Sequence, residues 1–304
     1  MKSIKSKAHF VFFAWLTVGI VWGATFVGNN IGVRHVPALL MGGSRFFIAA
    51  CVSGMLTFIY RGWHGCNRRE VANSLIMGAL MYGVGNACVS LAQITVSASV
   101  TAIVYAAMPI IVAFFDGLLP SGNRLSGWGW LGLCISLAGI VWLWLPNLAL
   151  ANKSMGGLLL LVVSSIFWSG GILYGKYHRR CRNIWADVTL QCLAAGLLQM
   201  TVGSAMGNWH SWHNNLPGWS AILFLALVGT VLGNGCFVYG LQNMPPAKMS
   251  TYSYINPISA MFFSWLVIGE AITGRMIFST VVISLGVVLV QTTGLRQRKT
   301  VIQK

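Results

Sequence analysis

Asn86 and Asn234 each stand in the middle of an apolar run, where an unbonded amide costs free energy. Trp22 and Trp168 stand mid-run as well, away from the lipid–water boundary where tryptophans collect. Tyr105 precedes Pro109 by four residues and Tyr252 precedes Asn256 by four, so each pair shares a helix face. Amides, phenols and indoles of this kind bind a solute without altering it. Aromatic walls suit amino-acid side chains, aromatic metabolites or flat cations. Thr25 extends the polar face that holds Trp22. Arg45 lies about seven residues into its run, about 10 Å deep at 1.5 Å per residue. It suits a substrate carboxylate, or it snorkels outward, or it holds helices together through carbonyls. Pro109 and Pro257 remove a backbone hydrogen bond within their runs, giving either a static kink or a hinge. Cavity lining and plain interhelical bonding both remain open for the two asparagines.

Catalytic arrangements do not emerge. His210 and His213 have HxxH spacing but no further ligands, so no metal is expected. His9, His35, His64 and His178 stand at run ends, which leaves no histidine inside the bilayer for a serine nucleophile. There is no phosphate loop, no dinucleotide motif and no pair of carboxylates, so neither an enzyme nor a cofactor is expected. Asp116 and Glu270 read as end groups or ion-pair members, Glu270 with Arg275, and not as proton carriers at mid-membrane.

The elements that must hold these residues are fixed by composition. Of 304 residues, 56% are hydrophobic and 8% charged, with mean hydropathy +0.73. A soluble domain carries about 25% charged residues. Four carboxylates cannot wet a surface, which excludes a soluble enzyme, a secreted domain or a nucleic-acid binder. The seven cysteines are scattered, without disulfide framework or CxxC pair. Ten runs approach the ~20 residues that cross a bilayer: 10–29, 38–60, 72–93, 97–118, 128–146, 156–177, 187–207, 218–241, 247–269 and 275–293. The expected fold is all-α, integral to the lipid bilayer. With the N-terminus in the cytoplasm, 16 of 20 cations fall in cytoplasmic segments, 3 (Arg34, Lys153, Arg275) fall outside, and Arg45 falls within a run. Both termini are therefore expected inside.

A repeat is legible. Gly85-Asn86-Ala87-Cys88 returns as Gly233-Asn234-Gly235-Cys236, an offset of 148 residues that also carries Pro109 onto Pro257. An offset of 146 carries Trp22 onto Trp168 and Ala49 onto Ala195. The chain reads as two five-helix units, 10–146 and 156–293. Five is odd, so the copies insert in opposite directions, a plan used by transporters with a site at the bilayer midplane.

Val21-Trp22-Gly23-Ala24-Thr25-Phe26, the stretch from Pro37-Ala38 to Arg45-Phe46, and Tyr254-Ile255-Asn256-Pro257 running to Gly269-Glu270 resemble the drug/metabolite transporter superfamily, in its branch with two EamA-type repeats. The resemblance covers almost the whole chain. It implies ten helices, cytoplasmic termini, a central cavity and export of a small metabolite, an amino acid being one candidate, from a bacterial cell across the inner membrane. Substrate contacts are then expected at Trp22, Thr25, Arg45, Asn86, Tyr105, Trp168, Asn234, Tyr252 and Asn256, with hinges at Pro109 and Pro257. Efflux of drugs by the same fold, or a membrane scaffold without transport, are the alternatives. One departure stands out: the position matching Glu270 in the first repeat is Gly122.

Overall fold

A computed structural model describes residues 2–60, 62–63, 66–120, 122, 125–149, 153–212, 214–243 and 249–302. Arg61, His64, Arg124, His213, Lys248 and Lys304 lie outside the described residues. The described residues are helical, without a strand. Among the described residues ten helical rods follow one another: α1 Lys2–His35, α2 Ala38–Ile59, α3 Arg68–Ala92, α4 Ala98–Leu118, α5 Gly127–Ala149, α6 Lys153–Tyr177, α7 Ile184–Ala205, α8 Leu216–Phe237, α9 Ile255–Ile268 and α10 Gly274–Ile302. Eight, α1 to α8, contain a stretch long and apolar enough to cross a membrane, and α10 contributes the shorter apolar stretch Gly274–Val290. The ninth rod is short because its chain enters through a 3-10 turn, Ser250–Tyr254.

Local chemistry sets the starts and stops. Asn67 and Glu70 form a reciprocal capping box at α3, satisfying two backbone N–H groups that have no partner inside the helix. Asn183 accepts from Trp185 and Ala186 N–H at the start of α7, and Asn215 from Gly218 N–H at the start of α8. Gly269 stops α9 with φ +67°, a left-handed conformation that suits a residue without Cβ.

Direction can be read from the contacts. Along α2 and α7, Leu40 faces Gly203, Gly43 faces Met200, Phe47 faces Gly196 and Gly54 faces Thr189, so these helices run antiparallel. Along α5 and α10, Gly132 faces Gly286 and Gly139 faces Ile283, again antiparallel. A Cβ on Gly286 would lie 2.5 Å from the Gly132 carbonyl, so these backbones touch. α1 runs antiparallel to α8 (Gly28 by Phe224, Gly32 by Ala221) and parallel to α9 (Trp15 bonds Thr251; Gly23 meets Ser259). α6 runs antiparallel to α3 (Gly157 by Val96, Gly175 by Met77) and parallel to α4 (Tyr105 bonds Ser164; Lys176 bonds Asp116). α4 also packs on α9. Exchanging each helix with the one five places later maps the pairs just named onto one another: α1–α8 becomes α6–α3, and α1–α9 becomes α6–α4. The α2–α7, α4–α9 and α5–α10 pairs return themselves.

The two prolines sit differently from a mid-helix kink. In α4 the chain turns at Ala107 and Pro109 occupies the first turn of the segment that follows. Pro257 is the third residue of α9, after the 3-10 turn. A first-turn position needs no intrahelical N–H donor, so the ring costs no bond there.

Candidate functional site

Two segments depart from α-helical winding. Ala79–Gly85 within α3 and Phe224–Leu232 within α8 are π-helical, and each delivers the chain to a Gly-Asn pair. The wider winding leaves local bonding out of register: Thr230 Oγ1 donates to the Leu225 carbonyl, five residues back, at 2.9 Å. Segments of this kind gather at functional sites.

Trp22 of α1 lies over the second of them. Its Nε1 donates to the Gly229 carbonyl at 3.2 Å, and a Cβ on Gly233 would come within 2.4 Å of that nitrogen. The indole meets Tyr252 edge-on, with centroids 5.0 Å apart at 85°, and tilts against Phe237 at 5.2 Å. Trp168 of α6 repeats this over the first segment. It meets Tyr105 edge-on at 6.0 Å and 84°, and its Cε3 lies 3.4 Å from where a Cβ of Gly85 would stand. Tyr105 in turn reaches Ser164, whose Oγ donates to the Gly85 carbonyl at 2.5 Å.

Tyr82 connects the halves. Its ring stacks on Phe46 at 5.5 Å and meets Trp168 at 5.6 Å, while its hydroxyl donates to Asn234 Oδ1 at 3.4 Å. Arg45 is buried beside it, its guanidinium 4.9 Å from the Phe46 ring centroid and its Nε donating to Thr230 Oγ1 at 3.2 Å. Trp22, Arg45, Tyr105, Trp168, Asn234 and Tyr252 are thus linked, directly or through Tyr82, Thr230 and Gly229. Asn86 stands one residue past Gly85, with its buried Oδ1 unbonded among the described residues. Asn256 stands beside Gly23, where α1 crosses α9, also with an unbonded Oδ1. Thr25 turns its hydroxyl back to the Trp22 carbonyl at 2.6 Å and presents only its methyl to Gly229. Pro109 lies in the first turn of the second segment of α4, and Pro257 lies in the first turn of α9.

Tyr82, Phe46, Thr230 and Phe237 were missed from sequence. The offset of 148 that ties Asn86 to Asn234 carries Tyr82 onto Thr230, and would have exposed both.

The two ends of the bundle close differently. At one, Lys176 Nζ reaches both Asp116 oxygens at 2.6 and 2.7 Å, Tyr177 OH donates to the same carboxylate at 2.7 Å, and Arg180 pairs with Asp187 at 2.5 Å. At the other, Asn29 Nδ2 donates to Gln93 Oε1 at 2.6 Å, Gln93 Nε2 to the Phe26 carbonyl at 3.1 Å, and Ser90 to Asn29 at 3.0 Å. Glu270 does not reach Arg275. It accepts from Ser99 at 2.9 Å and from Ser264, because the left-handed Gly269 folds it back over α9. Arg275 instead lies over Trp142, 5.3 Å from the ring centroid.

The described residues bring no three His, Cys, Asp or Glu side chains together as metal ligands. What the site offers is indole and phenol faces, amide and guanidinium donors, and no poised nucleophile–base pair. This is the interior of a bundle in which eight helices are long and apolar enough to cross a membrane. The chain belongs to the EamA-like transporter family, which it matches twice, over residues 9–145 and 155–292. It is 29% identical over 284 residues to the uncharacterized inner membrane transporter YedA of Escherichia coli K12, covering 91% of each chain. It is 24% identical to a probable amino-acid metabolite efflux pump of the same organism, covering 94% of this chain and 96% of that one. It is 23% identical to an S-adenosylmethionine/S-adenosylhomocysteine transporter of Chlamydia muridarum, covering 91% and 90%. A crystal structure superposes with TM-score 0.63 at 17% identity, over 95% of this chain and 98% of that one, and attests the fold.

Proposed function

We propose that the protein is a secondary exporter that carries a small metabolite across the bacterial cytoplasmic membrane by alternating access. Ten membrane-crossing helices form two inverted five-helix repeats, 10–146 and 156–293, with both termini in the cytoplasm. The observation that carries the reading is the antiparallel packing of equivalent helices, α2 on α7 and α5 on α10. Two copies of one unit related by a two-fold axis in the membrane plane must meet in this way. Such a pair can exchange conformations, so that an arrangement open at one end has a counterpart open at the other. The efflux-pump name of one relative supports export. Substrate sits between α1, α3, α4 and their partners α6, α8, α9. Trp22, Tyr105, Trp168 and Tyr252 wall it, while Arg45, Asn86, Asn234 and Asn256 supply polar contacts, with Thr25 at the edge. Pro109 and Pro257 act as hinges, at the turn within α4 and at the entry to α9.

The test is metabolite profiling of the medium of cells overexpressing this chain, or a Trp22→Ala/Asn234→Ala variant of equal abundance. A compound enriched outside only by the unaltered chain is the expected result. Equal media would sink both export and the site.

A further inference from the structure

Arg45 is 8% exposed, and only its Nε is bonded, to Thr230. Among the described residues neither terminal nitrogen of its guanidinium has a hydrogen-bond partner, and no carboxylate lies within ion-pair distance. The chain has four side-chain carboxylates in all, and each is engaged elsewhere. Glu70 caps α3. Asp116 holds Lys176. Asp187 holds Arg180 and accepts from Ser74. Glu270 accepts from Ser99 and Ser264. A buried guanidinium without a counter-charge is costly, and such groups in membrane proteins mark the path of a solute. No side-chain carboxylate of this protein is available to it.

From these contacts we infer that the cargo is a small organic monocarboxylate with an apolar or aromatic body, and that Arg45 seats its carboxylate. This rests on the transporter reading above and names the substrate class of the same site. Arg45 binds Thr230, and Asn234 follows four residues later on the same face of α8, about 6 Å along the helix. The Asn234 oxygen accepts from Tyr82, and its NH2 group has no partner among the described residues. Two unspent donor groups therefore meet α8 one helical turn apart, at Thr230 and at Asn234, and both suit an acceptor with no proton to give. A planar guanidinium matches the two oxygens of a carboxylate. Charge fixes the valence: Arg45 is the buried cation among the described residues of this site, so a singly charged anion is neutralised and a phosphate dianion is not. The body of the solute then lies along Tyr82, Phe46 and Trp168 on one side and Trp22 on the other.

The test uses the full chain in liposomes and three probes that share a phenyl ring: 3-phenylpropionate, phenethylamine and phenyl phosphate. Counterflow of each is measured for the wild type, Arg45→Lys and Arg45→Gln, all checked for equal melting temperature in detergent. The wild type is expected to move the carboxylate at least tenfold faster than the amine or the phosphate. Arg45→Gln should lose that preference, with KM for the carboxylate rising at least tenfold, and Arg45→Lys should keep part of it. A merely structural arginine would lower all fluxes together without changing the ranking. Preference for the amine or the phosphate, an unchanged ranking in Arg45→Gln, or no flux of any probe would overturn the assignment. The compound found in the medium discriminates further. A carboxylate there upholds the inference, a cationic or neutral compound leaves export standing and removes it, and equal media remove both.

Discussion

Asp116 and Lys176 join α4 to α6, and their pairing can be weighed from geometry. At contact distance two charges attract by about 4 kcal/mol at an effective dielectric of about 20. The Lys176 side chain is 38% exposed and Asp116 only 11%, so water screens one partner and hardly reaches the other. Exposed pairs contribute about 0.2–1 kcal/mol, and breaking a fully buried one costs about 3–5 kcal/mol. This pair falls between, at about 1–2 kcal/mol of coupling. Lys176→Met should cost more than Asp116→Asn, because it takes the ammonium from the less exposed partner, whose carboxylate must keep its charge. The assay is a double-mutant cycle on the full chain, read by reversible unfolding in mixed micelles of rising dodecyl sulfate. A coupling energy below about 0.5 kcal/mol would refute the reasoning and make the contact no better than a surface pair.

Three further outcomes follow from packing and from acid–base chemistry. A Cβ on Gly286 would stand 2.5 Å from the Gly132 backbone oxygen, which cannot move aside, so Gly286→Ala should destabilise by about 1–3 kcal/mol in the same assay. Gly170 has no atom within 4 Å of its notional Cβ, and Gly170→Ala should be neutral or stabilising by up to about 1 kcal/mol. The Cys181 thiol, in the connection between α6 and α7, is pushed up to about 12 by burial and by its neighbour Cys66. Thiolate is the reactive form, so Cys181 alkylation should keep rising about tenfold per pH unit through pH 10, where an ordinary thiol of pKa about 8.5 has levelled off. A plateau near pH 9, followed by peptide mass spectrometry, would contradict this.

Much of the bundle was readable before any coordinates, because spans announce themselves by apolar length and the repeat by its offset. The Trp22–Tyr252 and Trp168–Tyr105 contacts join residues already selected for being polar or aromatic at mid-span. Others left no trace. Phe224–Leu232 is as apolar as any α-helix, and nothing in its composition marks π winding. Tyr82 looked like one more aromatic residue in a run until its hydroxyl reached Asn234, 152 positions away. The partner of Asp116 is 60 residues distant, and that of Glu270 was misassigned because Arg275 is near in sequence while Ser99 is near in space. Pairings across such separations depend on tertiary packing, which local pattern does not encode.

The two closures differ in what they share with the surrounding water. Ion pairs weaken as dissolved salt screens them, whereas amide–amide bonds between neutral groups hardly respond. The Lys176–Asp116 end of the bundle is therefore coupled to ionic strength and the Gln93–Asn29 end is insulated from it. Any equilibrium between an arrangement parted at one end and an arrangement parted at the other must drift with salt, in the direction that loosens the charged end. On the alternating-access reading the two halves would therefore form an unequal balance, tilted by the electrolyte on one side.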